Sequence, residues 1–223
     1  MSETAEVLIV FGKLPARGRV KTRLARDIGE QAATDLYAAF LSDTLHGLAA
    51  LSPALRLFVP PDDGSPPAGL LPAGAELRRQ RGADLGQRLL AAFVDSFAEG
   101  FDRVVIIGSD HPTLPLAFVE LAFDELRQRG RVVVGPSGDG GYYLIGANDL
   151  YPELFAGMHY SHDRVFADTI ERTGGTHADV TVLPGWYDVD TAADLDRLRR
   201  DLDTDPERAR RTGEVMANLP PNR

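Results

Sequence analysis

The chain has 223 residues, 43% hydrophobic and 26% charged, a length and balance that suit one globular domain with a sizeable core. It has no cysteine, which excludes disulfides, thiolate metal sites and a catalytic thiol. A formal net charge of −9 argues against binding a nucleic-acid polymer through bulk electrostatics.

The opening stretch, Met1 to Gly12, has no basic n-region, and its apolar run is far shorter than the roughly 20 residues of a membrane span. A cytoplasmic protein is therefore expected. Glu6 to Phe11 is a continuous apolar run stopped by Gly12, the pattern of a strand buried in a parallel sheet. A polar loop with Gly and Pro follows, then a helical stretch from about Gly29 to Leu51. Leu55 to Val59 reads as a second strand, stopped by Pro60-Pro-Asp-Asp-Gly64, and Glu76 to Arg79 as a weak third. Asp84 to Glu99 spaces Leu85, Leu89, Phe93 and Phe97 by four residues, as on one face of a helix. Val104 to Ile107 is a strand, Pro115 to Arg129 a helix with Pro at its tolerated first turn, and Arg131 to Val134 a strand. Gly135-Pro-Ser-Gly-Asp-Gly-Gly141 then leads into the apolar run Tyr142 to Gly146. A helix is expected near Asp163 to Thr173, a strand near Asp179 to Leu183, and a helix from about Thr191 to Leu202. A terminal helix over Asp205 to Ala217 and a disordered Pro220-Pro-Asn-Arg end complete the chain. Strands alternating with helices predict an α/β sandwich with a mostly parallel sheet, one domain over 1–203 with a C-terminal helix and tail over 204–223.

In an open α/β sheet, ligands bind beyond the carboxyl ends of the strands. The chain's two lysines, Lys13 and Lys21, both lie in the loop after the first strand, among Arg17, Arg19 and Arg23 and around Gly12 and Gly18. Glycine lets backbone N–H groups approach an anion, and a compact ammonium is a good point-charge partner for phosphate. The loop is not a P-loop, because Arg19-Val20 separates Gly18 from Lys21-Thr22 and Pro15 interrupts it. Asp110 follows the Val104–Ile107 strand and belongs at its tip, where a hard cation would find an oxygen ligand. Alternation puts Asp188 and Asp190 on one face of an extended segment that could complete a metal site. Thr191 and Asp194 have the spacing of a capping box for the helix that follows. Gly138-Asp139-Gly140-Gly141 reads either as a hairpin turn or as a bare surface that a substrate approaches. Ser161-His162-Asp163 is not a catalytic triad, since adjacent residues cannot form the relay.

These segments resemble a bacterial family of candidate glycosyltransferases with the Rossmann-like GT-A (nucleotide-diphospho-sugar transferase) fold, a three-layer α/β/α sandwich. The resemblance rests on Gly12-Lys-Leu-Pro-x-x-Gly-x-Val-Lys-Thr-Arg-Leu24, Asp84-Leu-Gly-Gln-Arg88 and Gly108-Ser-Asp-x-Pro-Thr-Leu-Pro115. It continues through Gly135-Pro-x-x-Asp-Gly-Gly-Tyr-Tyr-Leu-Ile-Gly146 and Trp186-Tyr-Asp-Val-Asp-Thr191. More distantly the pattern is similar to guanylyltransferases of the molybdenum-cofactor and phospholactate type. The resemblance implies a nucleotide and phosphate site over Gly12, Lys13, Arg17, Gly18, Lys21, Thr22, Arg23 and Asp84. It implies Mg²⁺ or Mn²⁺ on Asp110 with Asp188 or Asp190, and an acceptor side at Asp139, Gly140, Gly141 and His159. Lys21, Asp110 and Asp139 are the expected catalytic groups. The match departs at His159-Tyr160-Ser161, where family members usually carry a Trp-Ser or Trp-Thr pair.

The expected function is sugar transfer from a nucleotide-diphosphate sugar to a small-molecule acceptor that the sequence does not name. One alternative keeps the fold and joins an NTP to a phosphorylated acceptor, releasing pyrophosphate. Another is a non-catalytic nucleotide-binding regulatory protein, against which the retained acidic residues count. Oligomeric state is left open.

Overall fold

A computed structural model describes residues 5–160 and 162–219, so Ser161 and the expected disordered end at 220–223 lie outside the described residues. In chain order the elements are β1 (Glu6–Phe11), α1 (Ala25–Ile28), α2 (Glu30–Leu48), β2 (Ala54–Val59), β3 (Glu76–Arg79), α3 (Leu85–Ala98) and β4 (Arg103–Gly108). They continue with α4 (Leu116–Glu125), β5 (Arg131–Pro136), β6 (Tyr142–Ala147), α5 (Val165–Thr173), β7 (Asp179–Val182), α6 (Ala192–Thr204) and α7 (Arg210–Ala217).

The seven strands form one sheet in the order β3-β2-β1-β4-β6-β5-β7. Only β6 runs antiparallel, paired with β4 on one side and β5 on the other. This follows from the short Ser137–Gly141 connection, since a five-residue turn can reverse a chain but cannot make the crossover a parallel neighbour needs. The helix expected over 115–129 ends at Glu125, and Gly130 with φ +67° turns the chain into β5. The short α1, just before α2, had no counterpart in the sequence pattern.

The sheet is the middle of three layers, because each strand buries alternate side chains on opposite faces. Leu8 and Val10 of β1 join Leu36, Phe40, Val119, Leu195 and Met216, which places α2, α4, α6 and α7 on one side. Val7 and Ile9 join Leu89, Phe93 and Phe155 on the side covered by α3 and α5. After β1 the chain builds outward to β2 and β3, and then returns to place β4 on the other side of β1. The crevice at the carboxyl ends of β1 and β4 lies at this reversal, the usual ligand position in open α/β sheets.

Candidate active site

Two loops meet at that crevice. The first leaves β1 at Gly12, whose added Cβ would come within 3.3 Å of Ser109 and of the Tyr37 hydroxyl. The close approach of Tyr37 from α2 and of Ser109 after β4 leaves little room for a side chain here. Tyr37 clamps the loop, accepting from the Lys13 N–H at 2.9 Å and sharing a hydrogen bond of 2.9 Å with Ser109 Oγ. Burial, with the charge of Asp110 nearby, pushes the Tyr37 phenol's pKa up, so it stays a neutral hydrogen-bonding clamp. Further on, the Leu14 N–H donates to the buried Asp63 carboxylate at 2.6 Å.

The second element is the segment 187–190, stapled to the end of β4 by two bonds. Val189 N–H donates to the Asp110 carbonyl at 3.1 Å, and His111 Nδ1 lies 3.0 Å from the Tyr187 carbonyl. A carbonyl only accepts, so His111 Nδ1 donates here, and Nε2 is turned toward Asp188, 3.6 Å away. The capping box expected at the start of α6 is present, and its Asp194 carboxylate also accepts the Asp190 N–H at 3.0 Å. Helix capping thus fixes the backbone of an acidic residue that faces the crevice.

Lys21 joins the two elements. Its Nζ lies 2.5 Å from Asp110 Oδ1 and 2.9 Å from Asp190 Oδ1, with only 3% of the side chain exposed. Among the described residues it is the one non-glycine with positive φ, at +46°, a conformation that costs on the order of 1 kcal/mol. Burial opposes its charge, but Asp110 and Asp190 outweigh burial and hold its pKa above the ordinary lysine value. Asp190 is likewise opposed by burial, yet Lys21 and Arg23 keep its pKa low. Asp188 behaves the opposite way. Burial above all, with the nearby charges of Asp139, Asp110 and Asp190, raises its pKa to about 6 against the opposing effect of His111. Its Oδ2 is buried without a hydrogen-bond partner.

A cavity of about 750 Å³ opens over this arrangement. Of the residues the sequence singled out, Gly12, Lys13, Lys21, Thr22, Arg23, Asp110 and Asp190 line it. Arg17 instead pairs with Glu30 at 3.0 Å on the exposed side of the loop, and Gly18 forms a turn with φ +73°. Asp84 is the N-cap of α3: its Oδ1 accepts the Gln87 N–H at 2.8 Å, and the cavity wall does not include it. The expected acceptor-side group is also used structurally. Asp139 Oδ1 accepts from Ser137 Oγ and from the Gly141 N–H. A Cβ on Gly140 would fall 2.0 Å from the Asp163 carbonyl oxygen, so that glycine admits the lead into α5 and does not leave a bare surface. His159 is exposed and its carbonyl accepts from His162 Nε2. The cavity wall also includes Tyr37 and Gln80, which sequence reasoning passed over, and Leu85, Arg88 and Ser109, which it named without giving them a place in the site. Arg88 had a signal, since it ends the Asp84-Leu-Gly-Gln-Arg88 segment, of which the resemblance implied only Asp84 for the site.

Asp110, Asp188 and Asp190 offer the hard oxygen donors that Mg²⁺ or Mn²⁺ prefers. As arranged they do not form a coordination set, because the Lys21 ammonium stands against Asp110 and Asp190. Among the described residues no group of three His, Cys, Asp or Glu side chains is placed to hold a metal ion. Nor is any helix of the described residues long and apolar enough to cross a membrane.

Comparison with known proteins agrees with this architecture. The profile of a family described as uncharacterized protein conserved in bacteria (DUF2064) matches residues 44–162. No curated protein matches the chain. A crystal structure of a candidate nucleotide-diphospho-sugar transferase from Desulfovibrio desulfuricans is 35% identical, with 96% of this chain and 95% of that one covered and a TM-score of 0.89. A cytidylyltransferase from Leptospira borgpetersenii is 13% identical over 96% of this chain and 93% of that one, with a TM-score of 0.57. The 4-diphosphocytidyl-2C-methyl-D-erythritol synthase from Anaerococcus prevotii is 9% identical over 90% and 96%, with a TM-score of 0.59. These last two likenesses are of fold.

Proposed function

The chain belongs to the DUF2064 family of bacterial proteins, and from that premise we propose that it is a transferase using a nucleotide donor, with glycosyl transfer from a nucleotide-diphosphate sugar as its reaction. One observation carries this reading. A single cavity at the switch point of the sheet is lined by Lys13, Lys21, Thr22 and Arg23 together with Asp110 and Asp190. Its volume of about 750 Å³ falls in the range typical of small-molecule sites. The likeness to the Desulfovibrio desulfuricans protein over nearly the whole of both chains supports the choice of a sugar nucleotide.

In such a transfer the bond between the anomeric carbon and the diphosphate breaks, and negative charge grows on the departing nucleoside diphosphate. Fixed cations aimed at that charge lower the barrier. Lys13 and Arg88 are the cavity-lining cations that have no carboxylate within 4.0 Å among the described residues, so they are available to an incoming diphosphate at once. Arg88 is pre-aimed, its Nε donating to the Gly82 carbonyl at 3.1 Å. Lys21, lower in the site, would meet the diphosphate only after parting from its carboxylates.

A thermal-shift panel tests the reading. UDP-, GDP- and dTDP-sugars with Mn²⁺ should stabilise the protein more than any NTP does. Preference for an NTP, with pyrophosphate released on adding a phosphorylated acceptor, would replace sugar transfer by nucleotidyl transfer.

A further inference from the structure

The first loop turns its backbone inward and one side chain outward. Gly12 N–H donates to the Phe58 carbonyl at 3.1 Å, Lys13 N–H to the Tyr37 hydroxyl at 2.9 Å, and Leu14 N–H to the Asp63 carboxylate at 2.6 Å. Three consecutive amides are thus committed to β2, to α2 and to the turn after β2, and none of the three is left for a phosphate. Gly12 and Leu14 are buried, and the exposed Lys13 side chain between them lines the cavity. The grip at this point comes from an ammonium and not from a backbone cradle. Asp63 itself is not part of the cavity wall. Its side chain is 4% exposed, with Oδ2 on the Leu14 N–H and Oδ1 3.4 Å from Arg19. The turn that carries it is stapled from the edge strand β3. Arg79 donates to the carbonyls of Pro60 at 3.2 Å, Asp63 at 2.7 Å and Gly64 at 2.8 Å.

We propose that Asp63 is a positioning residue for the donor's diphosphate, acting through the Leu14 N–H to hold Lys13 toward the cavity, with Arg79 fixing the turn behind it. The proposal rests on the nucleotide-donor reading above. A loop already held in its bound shape loses little freedom when a ligand arrives, and a cation already aimed at the ligand's charge needs no reorganisation. Without the Asp63 carboxylate the Leu14 N–H has no acceptor, and a buried amide left unpaired is costly enough to make the loop rearrange. Any such rearrangement moves Lys13, the neighbouring residue. The edge strand gains a purpose on the same account. Of its two arginines, Arg78 pairs with Glu76 at 3.0 Å, while Arg79 is spent on the turn that presents Asp63.

Calorimetry on the full chain with UDP and GDP tests this. Asp63→Ala should bind the better of the two roughly ten-fold more weakly than the wild type does. Asp63→Asn keeps an acceptor for the Leu14 N–H and should stay close to wild type. A merely structural role would weaken binding whether or not Lys13 is present. Positioning through Lys13 makes the two losses fail to add, so Asp63→Ala should cost little further affinity in a Lys13→Ala background. Affinity unchanged by Asp63→Ala, or a loss that persists in full without Lys13, would overturn the proposal. Should Asp63→Ala fail to fold, Arg79→Met takes its place. A smaller loss is then expected that again vanishes without Lys13, and unchanged affinity again overturns the idea. Hydrogen exchange at the Leu14 amide keeps the proposal distinct from the reading beneath it. Protection lost in Asp63→Ala and kept in Asp63→Asn, with neither diphosphate bound by any form, would uphold the loop's anchor and sink the nucleotide reading instead. Equal protection in all three forms would overturn the anchor itself.

Discussion

At the scale of single residues, the cavity separates cations that are occupied from cations that are available. Arg88 belongs to the second group, anchored by the Gly82 carbonyl and, at 3.4 Å, facing Gln80 Oε1. Its remaining N–H donors suit a diphosphate, and hydrogen bonds to charged groups contribute about 1.5–3 kcal/mol. Arg88→Ala should therefore weaken nucleotide binding on the order of ten-fold or more while leaving the melting temperature nearly unchanged. Equal affinity by calorimetry would remove Arg88 from the site. Asp188 makes a different demand. Its pKa is raised by burial to about 6, so between the ordinary carboxylate value and about 6 the folded chain holds a proton that the unfolded chain releases. Stability from this group is thus greatest at low pH and is lost as pH rises through about 6. Asp188→Asn should stabilise the protein at pH 7.5, by about 3 kcal/mol at most, and should flatten that part of the stability–pH curve. Urea denaturation at pH 4.5, 6 and 7.5 would show it. A variant less stable than wild type at pH 7.5 would mean that the carboxylate is held by contacts stronger than its burial penalty.

At the scale of elements, Asp84 and Thr191 show what a local pattern can and cannot reveal. Both precede helices, and both cap them. Thr191 with Asp194 was legible because a capping box needs only residues three apart. Asp84 has a similar partner in Gln87, yet its place in a family-like segment suggested a ligand. Asp84→Ala should cost about 1 kcal/mol of stability, the usual worth of an N-cap, and should leave nucleotide affinity unchanged. A loss of affinity without loss of stability would return Asp84 to the binding site. The strands were legible for a similar reason: β1 and β4 are nearly continuous apolar runs, and such runs mark parallel strands buried on both faces. What local pattern could not reveal was which loop cations already had partners. Arg17 meets Glu30, Arg19 meets Asp62, and Lys21 meets Asp190 across 169 positions of sequence. The last two pairings are fixed by the order of strands in the sheet and not by spacing along the chain. Gly140 was ambiguous for the same reason, since the Asp163 backbone that requires it comes from a later segment.

At the scale of the whole molecule, the C-terminal segment is part of the same packing that holds the site. The pattern of strands and helices suggested a domain over 1–203, with a C-terminal helix and tail beyond it. In the fold, α7 lies along α2 and buries Met216 to 7% exposure, while Ala209 just before it is 1% exposed. Asp43 of α2 caps α7 from the side, its carboxylate accepting the Thr212 N–H at 2.8 Å and the Arg211 N–H at 3.2 Å. Helix α2 also carries Tyr37, which clamps Lys13 and Ser109 at the cavity. One helix therefore touches the C-terminal segment at one end and the first loop at the other. Ending the chain at residue 203 would uncover the apolar face formed with Leu41, Leu45 and Leu48 and leave Asp43 without its donors. Loss of one buried methionine already costs about 2–5 kcal/mol, so the truncated chain should lose at least that much. Its urea midpoint should fall sharply, and any folded fraction should bind nucleotide more weakly because the Tyr37 clamp loosens. An unchanged midpoint would show that α7 is an appendage and that the domain ends near residue 203, where the element pattern first put it.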